Sequence, residues 1–93
     1  MKLSDFVEFC DKFTIENKAV FYKNPNSAAK KFRKEFRDTF GVTIKHFGFD
    51  LWIGFNDMEI VTVENGDIAV AGVMYFAEGK FESNYANESE FPV

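Results

Sequence analysis

The chain is poor in the residues that build catalytic and metal centres. Its 93 residues include one cysteine and one histidine, and the sequence has no phosphate-binding glycine loop and no nucleophile elbow. A zinc site needs several such ligands, and His46 would have to serve alone as base, ligand and orienting group. We therefore expect a protein that is not an enzyme and that binds no metal and no cofactor.

Long apolar runs are missing as well. No stretch approaches the length that spans a bilayer, and the first residues lack the charged-then-apolar pattern of a secretory leader. Cys10 has no partner for a disulfide within the chain. These absences predict a cytoplasmic protein without membrane contacts.

Proline is scarce, with two residues, whereas phenylalanine is abundant, with thirteen. The excess of phenylalanine, lysine and asparagine over arginine and proline indicates an A/T-rich genome, bacterial or viral. For a phage gene, the expected location is the cytoplasm of the bacterial host. Apolar residues make up 46% of the chain and charged residues 28%, which is typical of one folded domain over residues 1–93.

The first half of the chain shows the 3.6-residue period of amphipathic helices. We predict a first helix from Ser4, as its N-cap, to about Phe13. Cys10 falls on its apolar stripe and is predicted to be a buried thiol. The segment Thr14–Tyr22 is ambiguous: a helix or turn is favoured, and a short strand over Ala19–Tyr22 stays open.

A second helix is predicted over Ala28–Phe40, after the break at Pro25. Asn26 or Ser27 can cap its N-terminus, and Gly41 ends it in the left-handed conformation that glycine favours. Its predicted apolar face consists of Ala29, Phe32, Phe36 and Phe40.

Beyond the second helix, apolar residues alternate with a period of two, which predicts β-strands. The predicted strands are His46–Phe55, Met58–Glu64, Ile68–Phe76 and Lys80–Ala86. The predicted hairpin turns are Asn56-Asp57, Asn65-Gly66 and Glu78-Gly79. The fold prediction is α+β, with two N-terminal helices packed on a four-stranded antiparallel β-meander in two layers and a flexible tail at residues 87–93.

Charge is divided unevenly along the chain. Residues 1–46 carry ten Lys and Arg against six Asp and Glu, a balance of +4, whereas residues 47–93 carry one against nine, a balance of −8. Four basic residues recur at helical spacing on one face of the second helix: Lys30, Arg33, Lys34 and Arg37. This face could contact phosphates, but a solvated helix face is the preferred interpretation, and the net charge of −4 argues against direct nucleic-acid binding.

The carboxylates of the second half are the main candidates for a binding site. The predicted partner-binding acids are Asp50, Asp57, Glu59, Glu64 and Asp67. Together they would create a negative field that attracts a basic protein surface. A hard cation held between Asp50, Asp57 and Glu59 is a less favoured interpretation, and charge that only keeps the hairpins soluble is the simplest one.

The third predicted strand is apolar on both faces. One predicted face carries Ile68, Val70, Met74 and Phe76, and the other carries Ala69, Ala71, Val73 and Tyr75. The second face, joined by Trp52, would present uncovered aromatic area, which is typical of an interface. Trp52 and Tyr75 are therefore predicted partner-binding residues, in a homodimer or in a complex with another protein.

No motif assigns the chain to a family. The leading hypothesis is a small, acidic, non-catalytic protein-binding module. In its sharper form it is a stoichiometric inhibitor of a nucleic-acid-handling protein or complex, of the type that phages and mobile elements use against host defences. The alternatives are a module that contacts nucleic acid or phosphate through the helix at residues 28–40, and a dimeric structural accessory protein.

Overall fold

A computed structural model describes residues 2–41, 46–52, 55–64 and 67–90, with side chains for residues 2–41 and 72–90. The helices within these residues are α1 (Leu3–Glu16), α2 (Lys18–Lys23) and α3 (Pro25–Phe40). The strands are β1 (His46–Trp52), β2 (Phe55–Glu64), β3 (Asp67–Tyr75) and β4 (Lys80–Ser83), and a 3-10 turn follows at Glu88–Glu90. Helices combined with antiparallel strand pairing confirm the predicted α+β class.

Helix α1 begins one residue before the predicted cap and ends three residues after Phe13. Lys2 is the N-cap and makes no side-chain bond to the helix, so the prediction of Ser4 as the cap is wrong. The backbone N–H of Leu3 donates instead to both carboxylate oxygens of Glu88, each at 2.8 Å. A carboxylate is favourable there because the first N–H groups of a helix are unpaired and carry partial positive charge.

The ambiguous segment Thr14–Tyr22 is helical and is divided at Asn17. The backbone N–H of Asn17 donates to the carbonyl oxygen of Phe13 at 2.9 Å, and its side-chain amide donates to the same oxygen at 3.0 Å. These two hydrogen bonds to one carbonyl oxygen end α1, and α2 starts at the residue after Asn17. The strand alternative for Ala19–Tyr22 is therefore wrong, and α2 is a helix that the sequence analysis did not separate.

Helix α3 begins at Pro25, three residues earlier than predicted. Asn24 is the cap, and its Oδ1 accepts from the backbone N–H groups of Asn26 at 3.1 Å and Ser27 at 3.4 Å. Proline suits the first helical position because its fixed φ is already helical and its missing N–H would have no partner there. The prediction of a cap at Asn26 or Ser27 is thus wrong, whereas Gly41 ends the helix with φ of 70°, as predicted.

The core described by the structure is built mainly from phenylalanine. The fully buried aromatic side chains are Phe6, Phe21, Phe32, Phe36 and Phe76. Phe21 of α2 stacks on Phe76, with ring centroids 4.1 Å apart and an interplanar angle of 4°. Phe6 of α1 meets the ring of Phe81 of β4 edge-on at 5.5 Å. Since stacked and edge-on rings are favourable geometries, these contacts hold the helices against the β3–β4 hairpin.

Cys10 lies inside this core, as predicted. It is fully buried, and burial, followed by the nearby charge of Asp11, raises the pKa of its thiol well above the ordinary value. Desolvation disfavours the thiolate, so the side chain acts as a small apolar group.

The strands pair antiparallel in chain order, β1 with β2, β2 with β3 and β3 with β4. Trp52 pairs with Phe55, so Phe55 belongs to β2 instead of ending β1. Asn56 and Asp57 lie within β2, which makes the predicted turn at these residues wrong. Asparagine and aspartate favour turns only as local preferences, and strand pairing overrides them here.

The remaining strand ends also differ in detail from the prediction. Phe76 lies in the turn after β3, and Gly79 in that turn has φ of 68°, which agrees with the predicted turn at Glu78-Gly79. Strand β4 ends at Ser83, whose hydroxyl oxygen accepts from the backbone N–H of Tyr85 at 3.0 Å. The predicted turn at Asn65-Gly66 lies outside the described residues.

The β2–β3 pairing contains a register shift between Ile60 and Val61. Ile60 pairs with Gly72, but Val61 pairs with Val70, so one residue of β3 is left over. Such a bulge inverts the alternation of the strand that carries it. The predicted face of Ile68, Val70, Met74 and Phe76 is therefore wrong, because the first two residues fall in register with the opposite face.

No helix in the part of the chain that the structure describes is both long and apolar enough to cross a membrane.

Candidate functional site

The strand register gathers several of the predicted site residues into two rows that cross the strands. One row contains Asp50, Asp57, Tyr75 and Lys80, and the next contains Gly48, Glu59, Val73 and Glu82. Residues directly opposite one another share a face of the sheet, and so do residues two apart along a strand. These two rows, the outer rows, therefore lie on one face.

The row between them identifies the other face. It contains Phe49, Met58, Met74 and Phe81. Met74 is fully buried and Phe81 is 6% exposed, and both belong to the core that packs on the helices. Val73, Tyr75, Lys80 and Glu82 of the outer rows therefore lie on the side of the β3–β4 hairpin opposite to these buried residues.

The outer rows carry one cation, and it is already paired with carboxylates. Lys80 Nζ lies 3.1 Å from Glu78 Oε2 and 3.0 Å from Glu82 Oε1. It also lies 5.7 Å from the ring centroid of Tyr75. The hydrogen bond to Glu82, followed by that to Glu78, raises the pKa of Lys80, so this side chain stays charged. The remaining charges of the outer rows are negative: Asp50, Asp57 and Glu59.

The register assembles some of the predicted acids and separates others. Asp50 and Asp57 are direct partners, and Glu59 follows two residues after Asp57 on the same strand. Glu64 and Asp67 pair with each other at the opposite end of the β2–β3 hairpin, beyond the register shift. Residues of β2 alternate between the two faces of the sheet, and Glu64 has the opposite alternation to Glu59. The pair of Glu64 and Asp67 therefore does not belong to the outer rows.

The two predicted aromatic residues lie at the end of the outer rows nearest Asp57. Tyr75 pairs directly with Asp57 and is half-buried. Trp52 lies two positions beyond Asp50 on β1 and pairs with Phe55. The register therefore assigns both aromatic residues to the same face as the gathered acids.

The predicted basic residues are all on the exposed side of α3. Lys30, Arg33, Lys34 and Arg37 are exposed, whereas Phe32 and Phe36 on the opposite side are fully buried. Lys34 Nζ forms an ion pair with Asp38 Oδ2 at 3.2 Å, one helical turn away. An exposed pair of this kind contributes little stability. Its acid, however, reduces the positive field of the helix.

One surface was not expected from the sequence. An open groove of about 890 Å³ runs along the exposed side of α1 and is bounded by the segment at residues 86–88. The spacing of Leu3, Val7 and Ile15 along α1 could have indicated a second apolar ridge beside the phenylalanine stripe. The far wall could not have been predicted, because Glu88 meets Leu3 across a separation of 85 residues.

Among the side chains that the structure describes, no three His, Cys, Asp or Glu residues are grouped closely enough to hold a metal ion.

No family model, no curated protein and no solved structure matches this chain.

Proposed function

We propose that this chain is a non-catalytic protein-binding module whose outer rows bind a basic surface of a partner protein. The strand register carries this proposal, because it puts Asp50 opposite Asp57 in one outer row and Glu59 in the other. In this architecture the four strands form one meander, and the helices cover one side of it as a second layer. The opposite side is left available to a partner.

The charges and the aromatic residues have complementary roles in this proposal. Carboxylates on one face attract a basic surface and accelerate association, and they disfavour acidic competitors. Tyr75 and Trp52 supply the apolar area on which residence time depends, since aromatic side chains commonly dominate binding energy at interfaces. The pairing of Lys80 with Glu78 and Glu82 supports the same interpretation, because it neutralises the cation of this face.

In its sharper form, the module is a stoichiometric inhibitor of a nucleic-acid-handling protein in the cytoplasm of a bacterial host. Proteins that bind nucleic acid present lysine and arginine to phosphates. An acidic domain with a net charge of −4 can occupy such a surface and exclude the phosphates from it. A phage or mobile-element origin is the context in which this mode of inhibition is expected.

The test is a charge reversal with a matched reversal elsewhere on the chain. Partners are first captured from bacterial extract and identified by mass spectrometry, and titration calorimetry then measures their affinity for purified variants. We expect the double variant Asp57→Lys and Glu59→Lys to bind at least about tenfold more weakly. The control variant Lys30→Glu and Lys34→Glu should bind as the wild type does. Unchanged affinity after the first reversal would remove the proposal.

The basic side of α3 supports a second candidate, a module that contacts nucleic acid or phosphate. Its four basic residues are exposed on one helix, as such a contact requires. This candidate predicts retardation of DNA or RNA in a gel at low salt, lost in the Lys30→Glu and Lys34→Glu variant. Absence of retardation at low salt would dispose of it. A stable homodimer without a further partner, seen by sedimentation, would favour a structural accessory role instead.

A further inference from the structure

The groove on α1 combines an apolar floor with an exposed apolar anchor. Leu3, Val7 and Ala86 line it, and Leu3 is 9% exposed. Ile15 lies at the end nearest the β3–β4 turn, where it approaches Gly79, and it is 63% exposed. That is the largest exposure among the bulky apolar side chains that the structure describes. We call this surface the α1 groove.

The shape of the α1 groove fits another helix. Its lining residues on α1 form two ridges with a spacing of four residues. One ridge is Leu3, Val7, Asp11 and Ile15, and the other is Ser4, Glu8, Lys12 and Glu16. Ridges of this spacing interdigitate with the side chains of a second helix. From end to end they extend for roughly 20 Å, the rise of about four helical turns.

The charges of the α1 groove are mostly negative. Asp11 accepts from the backbone N–H of Phe81 at 2.8 Å, and Glu88 accepts from Leu3, so these two acids are already engaged within the fold. Glu8 and Glu16 are exposed on the outer ridge, and Lys12 is the one cation of the lining. Lysine or arginine on an approaching helix would therefore meet carboxylates on this rim.

We propose that the α1 groove binds a basic amphipathic helix of a partner protein. The apolar side of that helix packs on Leu3, Val7 and Ile15, and its basic residues pair with Glu8 and Glu16. This mode of recognition is common when an apolar groove meets a helix with anchors at i, i+4 and i+7. The α1 groove is separate from the outer rows, since α1 packs on the face of the hairpin that carries Met74 and Phe81.

A second copy of the chain is a poor occupant. Among the helices that the structure describes, α3 is the strongly basic one, and it buries Phe32 and Phe36 completely in its own core. That helix could offer charge to the α1 groove but no apolar side. We therefore assign the complementary helix to a different protein.

The experiment uses a defined probe and the full chain. The probe is a labelled peptide of about 18 leucine and lysine residues, long enough to be helical, with leucine along one side. Its control has glutamate in place of every lysine. Fluorescence anisotropy measures binding, and amide chemical shifts locate it. We expect the lysine peptide to bind and to shift amides of α1, and the glutamate peptide not to bind.

Two pairs of variants separate the α1 groove from the rest of the surface. Ile15→Ser should weaken binding about tenfold, whereas Tyr22→Ser, at the other exposed bulky apolar residue (44% exposed), should not. The double variant Glu8→Lys and Glu16→Lys should also weaken binding about tenfold. The double variant Asp57→Lys and Glu59→Lys on the outer rows should leave the peptide-induced shifts of the α1 amides unchanged. Circular dichroism confirms that each variant is folded.

Each of the following outcomes would overturn the proposal for the α1 groove. The proposed function of the outer rows is tested separately, by the affinity of the captured partner. If only the Asp57 and Glu59 reversal abolishes peptide binding, the site is the outer rows and the α1 groove is not used. If the lysine peptide does not bind at all, the α1 groove is not a helix site. If the chain without peptide self-associates and the Glu8 and Glu16 reversal abolishes this, the occupant is a second copy.

Discussion

The two faces of the β3–β4 hairpin differ sharply although their residues alternate along the same strands. Met74 and Phe81 are buried against the helices, whereas their neighbours Tyr75 and Lys80 are half-buried and exposed. The face with Met74 and Phe81 therefore contributes to the stability of the core, whereas the other face presents charge and an aromatic ring that lie outside the core. Substitutions at adjacent positions should therefore have different effects: one on the buried face should lower stability, and one on the other face should change the surface charge.

The largest effect is expected at Phe81. Phe81→Ala removes a nearly buried ring that packs edge-on against Phe6, so it should lower the free energy of unfolding by about 3–5 kcal/mol. Chemical denaturation followed by circular dichroism measures this loss. Glu82→Gln, one residue away on the exposed face, is the control and should change stability by under about 0.5 kcal/mol. Equal losses at the two positions would contradict the division between the faces.

The next effect is expected at Gly72, which lies beneath the ring of Phe81. A Cβ at this position would overlap the Phe81 side chain and come within 2.5 Å of the carbonyl oxygen of Glu82. Gly72→Ala should therefore destabilise the chain by about 1–3 kcal/mol through overpacking. Gly41→Ala cannot serve as the control, because it would test a different effect. Gly41 has a positive φ, which strains alanine, and a Cβ there would meet no other atom.

A double-mutant cycle is the appropriate check on that mechanism. If the ring of Phe81 is what the new methyl group meets, Gly72→Ala should cost less in a Phe81→Ala background than in the wild type. Additive losses, measured by the same denaturation experiment, would show that the ring is not responsible.

The fold was predictable from sequence wherever one short-range pattern decided it. The helical period and Gly41 predicted the body and the end of α3, and alternation predicted strands after it. The error at Asn56 and Asp57 arose because strand pairing with β1 overrides the local turn preference of these residues, which lie inside β2. Asn24 was missed as a cap because three polar residues surround Pro25, and the sequence does not show which of them the helix will use.

The sequence indicates which acidic and aromatic residues are candidates for the site, but not how they are arranged. Which of them fall in the same rows depends on strand register. Glu64 takes the alternate position to Asp57 and Glu59 along β2, and the shift between Ile60 and Val61 puts Asp67 opposite Glu64. The sequence has no marker for this bulge. The α1 groove depends on residues distant in sequence, which periodicity within one helix cannot reveal.

A smaller effect is expected at Glu88. Glu88→Gln keeps the shape of the side chain but removes the negative charge at the positive end of α1, so it should lower the free energy of unfolding by about 1 kcal/mol or less. Hydrogen exchange at the amides of Leu3 and its neighbours should accelerate. Glu90→Gln, in the same 3-10 turn, is the matched control and should leave both measurements unchanged.

The smallest effect near neutral pH is expected from the thiol of Cys10. Burial raises its pKa in the folded chain above the ordinary value of 9.0, so the native state keeps a proton that the unfolded state loses. Stability is therefore complete below pH 9.0 and declines as the pH rises past it. Denaturation of the wild type and of Cys10→Ala at pH 7 and pH 10 measures the difference, which should be confined to the wild type.

The labelling rate of Cys10 provides an independent check. At pH 8 a thiol reagent should react with the native chain at the rate of its opening, far more slowly than with the chain unfolded in urea. Labelling at the unfolded rate would contradict the burial of this side chain.

The bond between Glu88 and Leu3 has a consequence for the order of events during synthesis. Helix α1 is synthesised before Glu88, because the carboxylate that completes its first turn lies 85 residues further along the chain. Until Glu88 has been added, the amide of Leu3 is left to water, so α1 reaches its final state only after all four described strands have been translated.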